Sequence, residues 1–248
     1  MSSFPAALND EDAGTPALPL GFPPLNFQPR PHKLSSVNSI LAETAPASAV
    51  DEKLLELSSD IDGFECYTGP HANRIASIAD KLAAAFNLAS QDRFLLHQAA
   101  LIHDIGEFKM GRDYISAPRQ LFDSERIDLH RHPVIGEQAA AKLKLPRGVQ
   151  LIVRWHHEWW SGDGYPDKLA GEQIPLSARI LRVADSFAAL TAARPFRAAL
   201  TDTEARRHMA DWAGIEFDPG VVKALLATPL PITVTSETDP FAEPATNI

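Results

Sequence analysis

A carboxylate lodged in a largely apolar run constrains this chain more than any other feature. Asp185 sits within Ile180-Leu181-Arg182-Val183-Ala184-Asp185-Ser186-Phe187-Ala188-Ala189-Leu190. Such a group is costly to bury unless it is paired or coordinates a cation. Four other segments supply suitable company. His103-Asp104 closes Phe94-Leu95-Leu96-His97-Gln98-Ala99-Ala100-Leu101-Ile102, which is apolar nearly all round, and His71, His132 and the adjacent pair His156-His157 punctuate other helical stretches. Each alone is weak, because a histidine on an apolar helix is more often a satisfied core residue than a ligand. Together they are how a helical bundle core assembles a metal site from facing helices. The fold must therefore bring five separated segments to one point.

The pattern between 51 and 228 is helical. Ile75, Ile78, Ala79, Leu82, Ala83 and Phe86 follow the i, i+3, i+4, i+7 rule of an amphipathic helix. Residues 94–102 read as a buried central helix, and further helices are expected at 133–144, 148–157 and 176–191. Thr201 with Glu204 makes a capping box, and Asp218-Pro219 has the chemistry of an N-cap and first helical position. No stretch alternates with period two, so the class is all-α, with irregular segments at 105–122 and 159–173. Residues 1–50 are rich in Pro, Ala and Ser and read as a largely disordered arm, in which Leu34, Val37, Ile40 and Leu41 fit a short docked helix. A tail over 229–248 is expected to be flexible.

The formal charge of −9 over 248 residues excludes general binding to long nucleic acid, which needs a basic footprint. It also repels any anionic substrate, so attraction must come from a local cluster of cations. No apolar run reaches the length of a membrane span, and the N-terminus lacks the regions of a signal peptide. The single cysteine, Cys66, forms no internal disulfide and points to a reducing cytoplasm.

The ordered series is longer than the histidines. It runs His71, His103-Asp104-Ile105-Gly106, His132-Pro133, His156-His157-Glu158, Gly162-Asp163-Gly164-Tyr165-Pro166, Ile174-Pro175-Leu176-Ser177-Ala178-Arg179-Ile180, Val183-Ala184-Asp185, Leu190-Thr191 and Arg194-Pro195-Phe196-Arg197. This series resembles the HD-GYP family, a branch of the HD-domain metal-dependent phosphohydrolases, over about residues 60–228. The resemblance implies an HD-type helical bundle around two metals bridged by Asp104, which is also the catalytic carboxylate. One metal would take His71, His103 and Asp185, and the other His132, His156 and His157. Some members hold a third metal through a Glu four residues before the first His; Tyr67 stands there, so the expectation is a binuclear centre. Imidazole and carboxylate without thiolate suit iron or manganese, which the family uses, and are compatible with zinc.

The implied reaction is hydrolysis of cyclic di-GMP to pGpG, in some members on to GMP, by a hydroxide bridging the two cations. The implied substrate contacts are Arg179, Arg194 and Arg197, with Gly164, Tyr165 and Pro166 shaping a loop beside the site. A structural salt bridge is an equal reading of Arg179, and a turn with a packed Tyr is compatible with the role of the loop.

The departures matter. The family's His-Asp-x-Gly-Lys reads His103-Asp104-Ile105-Gly106-Glu107 here, which removes a phosphate-contacting cation and adds an anion. Losing one such donor costs about two to four kcal/mol of transition-state stabilisation. A downstream Lys-Pro pair is Ala117-Pro118, and an acidic position late in the last ligand helix is Ala188. Lys109 or Arg112 is a candidate replacement cation. Three functions fit: a cyclic di-GMP phosphodiesterase, a weak or inactive HD-GYP domain that binds a nucleotide or a signalling protein partner, and an HD phosphohydrolase acting on another nucleotide.

Overall fold

The structure is a computed structural model, and it describes residues 47–67, 69–193 and 198–230, with side chains from residue 51. The helices are α1 (Ala47–Phe64), α2 (His71–Ala85), α3 (Ser90–Leu101), α4 (Ile105–Met110), α5 (Asp123–Leu129), α6 (His132–Lys142), α7 (Arg147–Trp155), α8 (Leu176–Leu190), α9 (Asp202–Asp211) and α10 (Pro219–Ala227). A 3₁₀ turn at Gly171–Gln173 precedes α8. No strand forms among the described residues, where Ala213 and Phe217 make an isolated bridge. The all-α class is the observed one. No described helix is long and apolar enough to cross a membrane.

The core is a set of interlocked helix pairs. The α2 helix packs on α3 and α8, α4 on α6, and α6 on α7. Ile75, Ile78, Ala79, Leu82 and Ala83 of α2 are buried, as the 3.6-residue period requires, against Ile180, Leu181, Ala184 and Phe187 of α8 within one continuous cluster. Two caps read from sequence form: Thr201 accepts from the Glu204 N–H while Glu204 accepts from the Thr201 N–H, and Asp218 accepts from Gly220 and Val221.

Two expectations are corrected. The segment from 105 is not irregular at its start, because Ile105–Met110 forms α4, which Gly111 ends with a positive φ of 56°. Gly106 explains this helix: a Cβ there would lie 1.9 Å from the His132 carbonyl oxygen, so the backbones of α4 and α6 touch. A six-residue helix held by backbone contact carries little periodicity. The α3 helix is not buried throughout either. Phe94 at its start is exposed, and burial begins at Leu96, where the α2 and α7 faces close over it.

Candidate metal centre

Every proposed ligand except Asp185, which lies inside α8, enters from a helix end, where the chain can turn its side chain inward. His71 opens α2 and is buried, with the Tyr67 ring stacked on it at 3.5 Å. Buried Asp62 of α1 accepts the Ala72 N–H at 3.1 Å, which fixes the start of α2 and so the His71 backbone. His103 and Asp104 occupy the turn between α3 and α4. His132 opens α6, His156 caps α7, and Asp185 is buried on α8.

Three of the imidazoles share one local geometry. His103, His132 and His156 each place Nδ1 against the carbonyl three residues earlier, on Ala100, Leu129 and Val153, at 3.0, 2.8 and 2.7 Å. A carbonyl only accepts, so Nδ1 carries the N–H and donates. Each Nε2 then faces the centre: those of His132 and His156 are 3.4 Å apart, and each is 3.3 Å from Asp104 Oδ1. His103 Nε2 lies 3.0 Å from Asp104 Oδ2 and 3.8 Å from Asp185 Oδ1. Asp104 thus presents one oxygen to each side. One ligand atom from each of Asp104, His132, His156 and His157 falls within 4.8 Å of the others, and Asp104 makes a second such group with Glu65 and Glu107. His71, His103 and Asp185 form no group that tight among the described residues.

His157 differs. Arg182 donates from Nη1 to His157 Nδ1 at 2.8 Å, so the lone pair is on Nδ1 and the proton on Nε2, the reverse of the other three rings. Arg182 also pairs with Glu216 and lies 3.6 Å from Asp185 Oδ2, linking α8 to the segment before α10. The Tyr165 ring stacks on His157 at 4.9 Å and on His130 at 4.0 Å. Gly164 allows this, since a Cβ there would meet the Trp159 N at 2.2 Å, and the Tyr165 N–H donates to the His157 carbonyl at 3.2 Å. Buried Glu158 accepts the Asp167 and Leu169 N–H groups at 2.6 and 3.0 Å, pinning the loop that contains Pro166.

The electrostatics separate the rings again. Burial opposes a charge on His103, but the Asp104 carboxylate outweighs it, with Asp185 and Glu65 adding to the effect, and its pKa stands well above the ordinary value. Burial likewise opposes ionisation of Asp104, and His103 outweighs it, holding that carboxyl well below the usual range. His132 is raised despite burial by its contact with Asp104. His156 is lowered by burial, and His157 is pushed well down by burial and then by the neighbouring His156.

These donors fit a divalent cation. Asp104 Oδ1 and His103 Nε2 are buried atoms without a hydrogen bond, and the atoms converging on Asp104 are lone pairs of imidazole and carboxylate. Facing acceptors in a buried site need a proton or a cation between them.

The profile of the HD domain family matches residues 65–221. The chain belongs to the HD domain family. Its motif series is that of the HD-GYP branch. Among its relatives are the cyclic di-GMP phosphodiesterase response regulator RpfG of Xanthomonas campestris, 34% identical over 177 residues and matching 71% of this chain and 47% of its own length. Another is 3′3′-cGAMP-specific phosphodiesterase 2 of Vibrio cholerae, 30% identical over 177 residues, with coverage of 71% and 34%. This HD domain chain therefore spans a third to a half of the length of those relatives. The solved structure of the Vibrio cholerae cyclic GMP-AMP phosphodiesterase V-cGAP3 shares the fold, with a TM-score of 0.57 at 21% identity over 73% of this chain and 49% of that one.

Other residues named from sequence go elsewhere. Arg179 donates to the Ile174 carbonyl at 2.8 Å and pairs with Asp218, and its guanidinium lies over the Trp160 ring. Arg194 and Arg197 lie outside the described residues, as do the arm up to residue 46 and the tail from 231. Arg112 is paired with Asp128, and Lys109 lines an apolar groove with Leu57 and Ile135. Sequence reading gave no role to Glu65, Arg182 and His130, and read Glu107 only as an anion in place of a phosphate-contacting Lys, not as a neighbour of Asp104. Asp104 and Glu107 are three residues apart, and that spacing is the signal that could have shown their nearness.

Proposed function

We propose that this HD domain is a metal-dependent phosphodiesterase acting on a cyclic dinucleotide, with cyclic di-GMP as substrate and pGpG as product. The observation that carries this reading is the convergence of three imidazole Nε2 atoms on the two oxygens of one carboxylate, Asp104. The names of the relatives, which are phosphodiesterases for cyclic di-GMP and 3′3′-cGAMP, support the substrate class. The ligand set is His71, His103, Asp104, His132, His156, His157 and Asp185, for two divalent ions, iron or manganese. When bound, such ions acidify water and neutralise phosphoryl oxygens.

The chain's own residues do the rest. The Nδ1–H anchors fix three ring planes, and Asp104 holds both halves of the site at one spacing. Tyr165 stacks on His157, and Arg182 has to release Nδ1, which holds the lone pair of that ring, for His157 to act as a ligand. Arg194 and Arg197 hold the phosphate that does not react or a guanine edge, either of which a guanidinium can pair with bidentately. The catalytic domain is residues 51–228, flanked by the arm 1–50 and the tail 229–248, and it works in the cytoplasm.

The test is direct. Purified protein loaded with manganese or iron is assayed on cyclic di-GMP and on 3′3′-cGAMP, with products resolved by chromatography. Linear pGpG from cyclic di-GMP supports the full reading, and faster turnover of 3′3′-cGAMP reassigns the substrate. No hydrolysis of either by metal-loaded protein contradicts it, and leaves a binding module.

A further inference from the structure

The segment between α4 and α6 carries side chains that the metal centre does not use. Its helix, α5, buries none of its residues. The Tyr165 ring stacks on His157 at 4.9 Å and 21°, and on His130, just after α5, at 4.0 Å and 15°. Side by side on one face of Tyr165, those two imidazoles would touch each other. They make no ring contact, so they take opposite faces. His130 therefore ends a column of three rings. It is exposed, and Tyr165 is its one ring partner among the described residues.

A second feature lies on the same face. Arg112 and Arg131 are paired with Asp128, and Arg119 with Glu125. Arg126, also exposed, makes no ion pair among the described residues. It precedes His130 by one helical turn, closed by the His130 N–H donating to the Arg126 carbonyl at 3.1 Å. That spacing puts the two side chains together, and the Arg126 charge acts on the His130 ring.

We propose that His130 and Arg126 form a subsite for one guanine of the cyclic dinucleotide, with the base stacked on the outer face of His130 and Arg126 donating to its O6 and N7. The inference rests on the reading of the chain as a cyclic dinucleotide phosphodiesterase, and names residues that choose the base. An imidazole stacks on either purine, because both present a π face. A guanidinium does not treat them alike. Guanine offers two acceptors, O6 and N7, that match its fork, whereas adenine places an amino donor where O6 would be. Arginine has donors only, so against adenine one bond is lost and donor faces donor. Stacking supplies affinity, and Arg126 supplies choice. Tyr165 also lies 6.2 Å from His132, so the column runs from the proposed ligands to solvent, as the phosphate-to-base axis of a bound nucleotide would.

Binding is read apart from turnover with phosphorothioate analogues of cyclic di-GMP and cyclic di-AMP, whose sulfur slows cleavage. Full-length, metal-loaded protein is titrated with each by calorimetry, alongside His130→Ala, His130→Phe and Arg126→Gln. Wild type should bind the guanine analogue more tightly than the adenine one. His130→Ala should weaken both by about tenfold, and His130→Phe should restore both, because it keeps a stacking face. Arg126→Gln should weaken the guanine analogue by about tenfold and leave the adenine analogue unchanged, which removes the preference. Metal content, followed by elemental analysis, should hold in all three variants.

Equal weakening of both analogues in Arg126→Gln overturns the base-reading role, since Arg126 would then attract any anion. Unchanged or tighter binding in His130→Ala overturns the stack, and so does loss of metal there, which would make His130 a support for His132. Both side chains are exposed, so the variants should keep the fold, and melting curves check it. A wild type that cleaves cyclic di-GMP while every variant binds as it does sinks the subsite and leaves the proposed function standing. One that shows the expected binding pattern without cleavage keeps the subsite and sinks the phosphodiesterase reading.

Discussion

The two halves of the candidate metal centre are built differently. On one side, Asp104, His132, His156 and His157 offer atoms all within 4.8 Å of one another. On the other, His103 is 3.0 Å from Asp104 but 3.8 Å from Asp185, and with His71 these make no group as tight among the described residues. The difference follows from what positions each side. His132 and His156 are fixed by helix ends brought together through α6–α7 packing and through the backbone contact of Gly106 with α6. His103 and Asp185 lie on segments joined through α2 and α8, and Asp185 shares Arg182 with Glu216 and His157. His132 and His156 are set by backbone anchors, as is His103, whereas Asp185 and His157 are tied through the Arg182 side chain. A site arranged in this way should fill in sequence, the tighter group around His132 and His156 first.

Single-ligand substitutions should separate the halves most strongly. His156→Ala should lower phosphodiesterase activity more than a hundredfold, beyond the ten- to hundredfold that outer-shell changes cost, and should remove the tighter of two ions. Asp185→Ala should remove only the weaker one. Metal titrations of the two variants check this, and a swapped order of loss would reverse the assignment of the halves.

Gly106→Ala attacks the scaffold of the imidazole side alone. The added Cβ has no room beside the His132 carbonyl, and overpacking of this kind costs about 1–3 kcal/mol. Thermal unfolding should show that loss, with the tighter site weakened more than the other. An unchanged melting temperature would mean that α4 and α6 can part without cost.

A smaller effect tests the side-chain link. Arg182→Gln frees His157 from a donor that only a charged guanidinium guarantees, and should change metal affinity by about tenfold, within the range for outer-shell partners. Metal binding should also tighten as pH rises. His103 and His132 have raised pKa values in the metal-free fold, so below those values a proton competes for the same lone pairs, and binding must expel it. Proton release on metal addition in weakly buffered solution measures this; no release would place the ions elsewhere. Least of all should change on deleting residues 1–45, where composition gives no core: about 0.5 kcal/mol or less in stability and no change in metal content.

The contrast also explains what was legible in the sequence. The helices of the core, the two caps and the position of each histidine at a helix end follow from local patterns, because 3.6-residue periodicity and Asp, Thr or Pro at a helix start act within a few residues. Asp185 could be read because a carboxylate in an apolar run has few reasons to be there. Residues whose role depends on which backbone comes near were not legible. Glu65 reaches Asp104 only because α1 turns back at Cys66, Arg182 meets His157 across the fold, and α4 forms because Gly106 touches α6. Arg179 was left between two readings, and its contacts with Asp218 and the Ile174 carbonyl are those of a salt bridge.

One measurement tests the central claim that a single carboxylate joins the two halves. Asp104→Ala and wild type are purified side by side in manganese, and metal per chain is determined by elemental analysis. Loss of most of the metal from both halves at once is the predicted result, since each half takes one oxygen of Asp104. A variant that folds and keeps its full metal content would contradict it.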